Sequence, residues 1–332
     1  MKDIQSTLDE LAKQTDKRTS VFELEILELK NNTLTLSGQL LEDSQLEDLH
    51  RVFPSLHLDT ASIRILSREP RDKVHVATNL TGLYEKPTFG MVLSGELYYG
   101  TDLEVLDDQK SWLLTRQKDG YLGWVYRSYL SNGTASLPTH LVLAPAVEVR
   151  AEPNETSAIV TRVVSGTGVI LEEARDGWSC ITANKTGWIP SKDLRAIADL
   201  PKTLDEKRKT ILDDAQRMIG IPYLWGGTSG NGIDCSGFAR LLHRWVGVEI
   251  PRDADMQYQA AARVKPPFEV GDLFFFAQSD SKRKITHVGV SLGGYQMIHS
   301  SRGNNGVYRD DLEQKKSLMD IYVGAGSFIR EA

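Results

Sequence analysis

The segment NGIDCSGFARLLHRW, residues 231–245, carries one of only two cysteines in the chain, Cys235. A Gly-rich run precedes it and a helix-like pattern follows. Asp234 is a good N-cap residue, so Cys235 falls in the first helical turn. Unpaired N–H groups and the helix dipole favour a negative charge there. A thiol so placed is expected to ionise more easily, its pKa dropping from about 8.5 to roughly 4–7 beside an imidazolium. The same N–H groups could hold an oxyanion formed by thiolate attack. The other cysteine, Cys180, lies in a strand-like stretch and reads as inert.

A nucleophilic thiol needs a base. His243, His287 and His299 are the histidines that follow Cys235. His243 lies eight residues along the same helix, about 12 Å away at 1.5 Å per residue, and reads as a surface residue. His287 and His299 sit in strand-like stretches around SLGGY, with eleven residues between them. Side chains alternate along a strand, so a two-residue Gly293-Gly294 turn would put them on opposite faces. A three- or five-residue connection is therefore expected, with Gly supplying a positive φ. Gly289, between His287 and Ser291 on one face, would leave room for the Cys235 helix. His287 is then the base, an imidazolium beside the thiolate, and His299 orients and polarises it.

These residues must be positioned by the elements around them. EKRKTILDDAQRMIG has helical spacing at Ile211, Leu212, Ala215 and Met218, with Gly220 as a stop. IPYLWGGTSGNG reads as a loop. GDLFFFA, KITHVGVSL, YQMIHSS and MDIYVGAGSFI read as strands. Helices first and an antiparallel sheet after is an α+β layout, over 205–332. Upstream lies an internal repeat. Pro87 matches Pro153, Gly100 matches Gly166 and Trp112 matches Trp178, each 66 residues apart, whereas Trp124 and Trp188 are 64 apart. The first copy thus has two extra residues between its tryptophans. Short alternating strands with Gly punctuation imply two small β-barrels, at 69–133 and 137–198. Residues 1–68 read as a helix, two strands around a tight KNNT turn, a polar helix and a strand. That small α+β unit resembles a BON-like domain in pattern. His50 and His57 within it read as surface or half-buried.

PYLWGG, IDCSGF, THVGV and MIHS closely resemble the NlpC family of papain-like cysteine peptidases, and GDLFFF also fits. The likeness covers about the last 125 residues. It implies a papain-like domain that cleaves the γ-D-glutamyl bond to a diamino acid in cell-wall peptides. The nucleophile falls on Cys235, the base on His287 and the third polar residue on His299. Tyr223, Trp225, Asp234 and Ser236 match pocket positions. The family often has a hydroxyl residue after PRD; here Ala254 stands, so a side-chain contact from there is in doubt. The repeats resemble tandem bacterial SH3-like domains. Relatives with such domains before the peptidase act on short peptides with a free N-terminal L-Ala before γ-D-Glu. An acidic residue and a Tyr of the first SH3-like domain hold the amine in them. Glu85 in LYEKP is the best match, with Ala151 at the equivalent place in the second copy; Glu96 is the alternative. Tyr121 sits in the hairpin that is longer in the first copy.

The net charge of −6 and the lack of a basic stripe argue against a nucleic-acid binder. No apolar run approaches membrane-spanning length, so no membrane role is expected. No CxxC, HExxH or paired Cys/His spacing is present, so neither metal nor cofactor is expected. The expected substrate is L-Ala-γ-D-Glu-L-Lys or its meso-diaminopimelate counterpart, met in peptidoglycan recycling by a monomer. A cytoplasmic location is expected, the alternative being a secreted protein whose leader has been removed. The rival functions are a wall-targeted endopeptidase, a non-catalytic wall-binding protein, and acyl transfer on the same triad.

Overall fold

The computed structural model describes residues 2–68, 72–278 and 284–331. The expected boundary at residue 69 lies outside the described residues. The chain divides into two compact units, one of residues 1–74, 86–89 and 102–133, the other of 75–85, 90–101 and 134–332.

In the first unit, FELEILELK alternates with period two and forms strand Phe22–Lys30, antiparallel to Thr33–Leu40. Asn31 and Asn32 turn the chain with φ of 48° and 63°, a conformation asparagine tolerates better than most residues. Helix Ser44–Val52 then crosses to strand His57–Ile65, which pairs parallel to Thr33–Leu40. Leu34, Leu36, Leu40, Leu49 and Leu58 pack between sheet and helices, while His50 and His57 are exposed. This unit also holds the antiparallel run Asp102–Gln109, Trp112–Arg116 and Leu122–Tyr126.

The second unit opens with the hairpin of Leu80–Tyr84 and Leu93–Tyr98. The second repeat follows as a seven-stranded sheet around Val142, Val149, Val163, Val169, Ile181 and Ile189. Its strands Trp178–Thr182 and Thr186–Pro190 are joined by three residues, whereas Trp112–Arg116 and Leu122–Tyr126 are joined by five. The length difference read between the two pairs of tryptophans is therefore a longer hairpin loop. Cys180 pairs across with Trp188 and lies half-buried in its strand.

The rest of this unit is built on a six-stranded antiparallel sheet, ordered Ala262–Val264, Tyr322–Ser327, Leu273–Ala277, Ile285–Gly293, Gln296–Ser301, Gly306–Asp311. Helix Leu204–Ala215 starts with a capping box, Thr203 accepting from the Glu206 N–H and Glu206 reaching back to the Thr203 N–H. Helix Cys235–Arg244 joins the sheet residues Val288, Val290 and Ile298 in one core through Phe238, Ala239 and Leu242. Each large side chain so buried stabilises by roughly 1.5–3 kcal/mol. His243 belongs to the buried part of the helix too, contrary to the expected surface position. It is fully buried, its Nδ1 2.8 Å from the Ala239 carbonyl and its ring edge-on to Phe328. No described helix is long and apolar enough to cross a membrane.

Candidate active site

Asp234 is the N-cap, as its residue type predicts. Its Oδ1 accepts from the Gly237 N–H at 2.7 Å, and its backbone carbonyl accepts from the Phe238 N–H. The same carboxylate accepts from the Gly226 N–H at 3.0 Å and pairs with Arg252 at 2.7 and 3.1 Å. Ser236 donates to Asp234 Oδ1 at 3.1 Å and accepts from Arg252 at 3.0 Å. Asp234 and Ser236 are therefore buried clamps of the Gly-rich loop and the helix mouth. Arg252, which the sequence reading passed over, closes that clamp; its only signal was PRD, the segment flagged for Ala254. Ala254 itself is buried at the start of helix Ala254–Ala260.

Cys235 is 7% exposed. The N–H groups of Val288 and Ser236 are turned toward its sulfur. Val288 directly follows His287 on strand Ile285–Gly293, so thiol and imidazole are carried by adjoining structure. His287 Nε2 lies 2.7 Å from His299 Nδ1, and His299 Nε2 lies 2.9 Å from Asp310 Oδ2. Lys315 Nζ donates to the same Asp310 oxygen at 2.6 Å. The histidines are brought together as expected, but by a different device. The connecting turn has only two residues, Gly294 and Tyr295. A bulge at Leu292 shifts the register between Ser291 and Gly293, and that extra residue restores the shared face. Gly293 and Gly294 have φ of 105° and 58°.

Gly289 makes room for the neighbouring strand rather than for the helix. A Cβ there would come 2.9 Å from Met297 Sδ and 3.4 Å from His299 Cβ. Asp310 escaped the sequence reading because strand Gly306–Asp311 was not foreseen. The strand register sets Asp310 beside Met297 and His299 beside Tyr308.

Burial weighs against the expected ion pair. Burial, with the Asp234 carboxylate adding to it, pushes the Cys235 thiol up to about 12, against the pull of the Val288 N–H, Arg252 and the Ser236 N–H. Burial, and then His299, pushes His287 down to about 3. Burial thus favours a neutral thiol and a neutral imidazole before attack. Moving the thiol proton to His287 creates both charges together, so their attraction offsets part of what either would cost alone.

Tyr223 is half-buried, and burial followed by the nearby Cys235 and Asp234 pushes its phenol up to about 12. Trp225 is largely exposed. The Arg302 guanidinium lies 4.9 Å from the Trp225 ring centre and 5.7 Å from that of Tyr223. These three form an aromatic wall with a cationic rim beside the thiol. Nothing in the sequence pattern singled out Arg302.

Glu85 is exposed just past strand Leu80–Tyr84. Glu96, the alternative, is mostly buried and accepts from the Thr228 N–H at 2.7 Å. Burial raises its pKa, opposed by the Thr228 N–H and by Ser229. Tyr98 donates to the Thr228 carbonyl at 2.5 Å. A Cβ at Gly226 would come 2.2 Å from the Leu93 carbonyl oxygen. The hairpin is thereby seated on the loop that leads to Cys235. Tyr121 belongs to the first unit and is buried, its N–H bonded to Asp119 Oδ1 at 3.1 Å.

Comparison with known proteins agrees with this geometry. Residues 220–326 match the NlpC/P60 family, and residues 83–131 and 145–195 match the bacterial SH3 domain. A γ-D-glutamyl-L-lysine dipeptidyl-peptidase of Bacillus cereus is 27% identical over 255 residues, 71% of this chain and 75% of its own. Dipeptidyl-peptidase 6 of Lysinibacillus sphaericus is 26% identical over 261 residues, 73% of this chain and 93% of its own. The crystal structure of an NlpC/P60 family protein from Bacillus cereus superposes with a TM-score of 0.66 at 23% identity, over 78% of this chain and all of that one, and so shares its fold. With Cys235 at a helix mouth and His287 and His299 on adjacent strands, this chain carries an NlpC/P60 cysteine-peptidase domain after two bacterial SH3 domains, and is homologous to those dipeptidyl-peptidases.

Proposed function

We propose that this chain hydrolyses the bond between γ-D-Glu and an L-diamino acid in murein peptides that begin with a free L-Ala. It does so as a monomer, on free peptides in the cytoplasm. The observation that carries the reading is the buried Cys235 at the start of its helix, served by the 2.7 Å His287–His299 pair. Two relatives named as dipeptidyl-peptidases, each matched over more than 70% of this chain, support the choice of bond and of exo-action.

His287 Nδ1 takes the Cys235 proton as the sulfur attacks the γ-carbonyl carbon. The N–H groups of the first helical turn receive the oxyanion. The imidazolium then gives its proton to the departing α-amine of the diamino acid, leaving a thioester. Water, deprotonated by His287, attacks that thioester, and the sulfur leaves as thiol. Glu85 holds the substrate ammonium in this reading, and Arg302 offers a cation to a peptide carboxylate.

Cys235→Ala should leave a folded protein that releases no L-Ala-D-Glu from L-Ala-γ-D-Glu-L-Lys, read by mass spectrometry. Hydrolysis retained in that variant would end the reading.

A further inference from the structure

We infer that Asp310, braced by Lys315, is a positioning residue that sets the order of protons along His299 and His287, leaving His287 Nδ1 bare toward Cys235. The inference rests on the proposed peptidase reading for its kinetics, and on hydrogen-bond geometry with a neutral His299 and an ionised Asp310 for its proton order.

A carboxylate only accepts hydrogen bonds. At 2.9 Å from Asp310 Oδ2, His299 Nε2 must therefore carry the hydrogen. Burial holds His299 below its usual range despite the Asp310 hydrogen bond, so its ring is neutral near pH 7 and its Nδ1 is a lone pair. That lone pair lies 2.7 Å from His287 Nε2, which must then be the N–H. A neutral His287 with hydrogen on Nε2 has its lone pair on Nδ1, the nitrogen that can accept the thiol proton. Reversing either ring reverses both. His299 would then donate from Nδ1, and His287 would present Nδ1–H to the thiol and could take nothing from it.

The reversed order is blocked only while Asp310 stays ionised. Burial works against ionisation, but hydrogen bonds from Lys315 and His299 outweigh it and hold the carboxyl below its ordinary range. Lys315 reaches Asp310 from the turn just past the strand, and the 2.6 Å contact falls on the same oxygen that His299 uses. In the register, Asp310 stands opposite Met297, a residue that can neither donate nor supply charge. Orientation therefore passes from a half-exposed lysine through one carboxylate and two imidazoles to the sulfur.

The test has two readouts. In the full-length Cys235→Ala chain, ¹⁵N ring spectra should show both His287 and His299 with hydrogen on Nε2 at pH 7. Adding Asp310→Asn, whose amide can donate as well as accept, should bring up the Nδ1–H form. A dominant Nδ1–H form on either ring of the unsubstituted pair would overturn the inference, whatever the enzyme's activity. In the Cys235 enzyme, Asp310→Asn should lower kcat for the tripeptide roughly 100-fold, within the range for a misplaced proton, with KM within about twofold. Asp310→Glu should recover part of that loss, and Lys315→Met should cost less, about 3- to 10-fold. The rate of Cys235 alkylation by iodoacetamide should fall in the same order. Unchanged kcat and alkylation in Asp310→Asn would overturn the inference. So would a loss that Asp310→Glu fails to relieve while the ring spectra stay the same. If Asp310→Asn does not fold, Lys315→Met and the spectra of the parent chain decide. If the parent chain cleaves no tripeptide, the peptidase reading fails while the spectra and alkylation still judge the proton order.

Discussion

At Cys235 two electrostatic effects of unequal size compete. A helix N-terminus favours a charge by about 0.3–1 kcal/mol, up to ~2 in partly buried sites. Burial acts the other way and carries the thiol from its ordinary 9.0 to about 12, about 4 kcal/mol of extra cost for a lone thiolate. In the proposed mechanism the helix mouth would therefore stabilise charge that appears during attack rather than store it beforehand. The placement of Cys235 at a helix start and the pairing of His287 with His299 were legible from residue type and order, because a thiol after an N-cap aspartate and two strand histidines have few other uses together. The weight of burial on both groups was not legible, because desolvation depends on what packs over the site. Arg302 was equally hidden, since its aromatic partners lie 77 and 79 residues earlier in the chain. Its role is measurable. A charge-assisted hydrogen bond contributes about 1.5–3 kcal/mol. Arg302→Ala should therefore lower kcat/KM for L-Ala-γ-D-Glu-L-Lys about 10- to 100-fold. The loss should vanish on whichever peptide has had the contacted carboxylate amidated, at D-Glu or at the diamino acid. Equal losses on the acid and on both amides would remove Arg302 from substrate binding.

Among elements, the hairpin that joins His287 to His299 carries the clearest lesson. The parity rule correctly demanded one residue more than a two-residue turn supplies. The chain inserts it at Leu292 as a bulge instead of lengthening the loop. Glycine content could not distinguish the two, since both use residues with positive φ. The Cys235 helix teaches the complement. Cys235, Phe238, Ala239, Leu242 and Val246 form a helical stripe, and His243 falls on it at eight residues from the cysteine. Its type suggested the surface, and its spacing pointed to the core. Burial lowers its pKa to about 4, opposed by the Ala239 carbonyl. In the unfolded chain it titrates near 6.5. Between those values the unfolded state holds a proton that the folded state does not, so acid favours unfolding. The penalty is nearly absent at pH 7, grows as pH falls through about 6.5, and is complete below about 4. At pH 5 it amounts to about 2 kcal/mol. His243→Leu should shrink the fall in urea midpoint between pH 7 and pH 5. An unchanged fall would show that this ring titrates normally in the folded protein.

At the scale of the whole chain, the duplicated SH3-like segment was legible as a repeat because its tryptophans and glycines keep their spacing. The difference between the copies that the proposed amine site requires was legible only in part. Glu85 and Glu96 are equally acidic in sequence, and only the fold separates them. Glu96 gives its carboxylate to the Thr228 N–H, inside the seat between hairpin and catalytic loop. Drawing it toward a substrate amine would compete with that bond to the loop before Cys235. Glu85 is exposed and free to meet an ammonium group. A carboxylate that receives the substrate amine discriminates by what it loses. In the proposed reading an N-acetyl peptide offers no cation to Glu85 and is expected to be a poor substrate. Glu85→Ala should lower kcat/KM for the free tripeptide about 30- to 100-fold and change the slow cleavage of the N-acetyl form by less than about threefold. Intact sacculi, whose stem peptides lack a free L-Ala amine, should release no D-Glu-terminated fragments under either form of the enzyme. Treating the sacculi first with an amidase that exposes L-Ala should restore release by the parent enzyme but not by Glu85→Ala. Equal loss on both peptides would move the amine contact away from Glu85. Direct cleavage of intact sacculi would show that the chain end is not read at all, and the thiol chemistry would then stand without the exo-restriction.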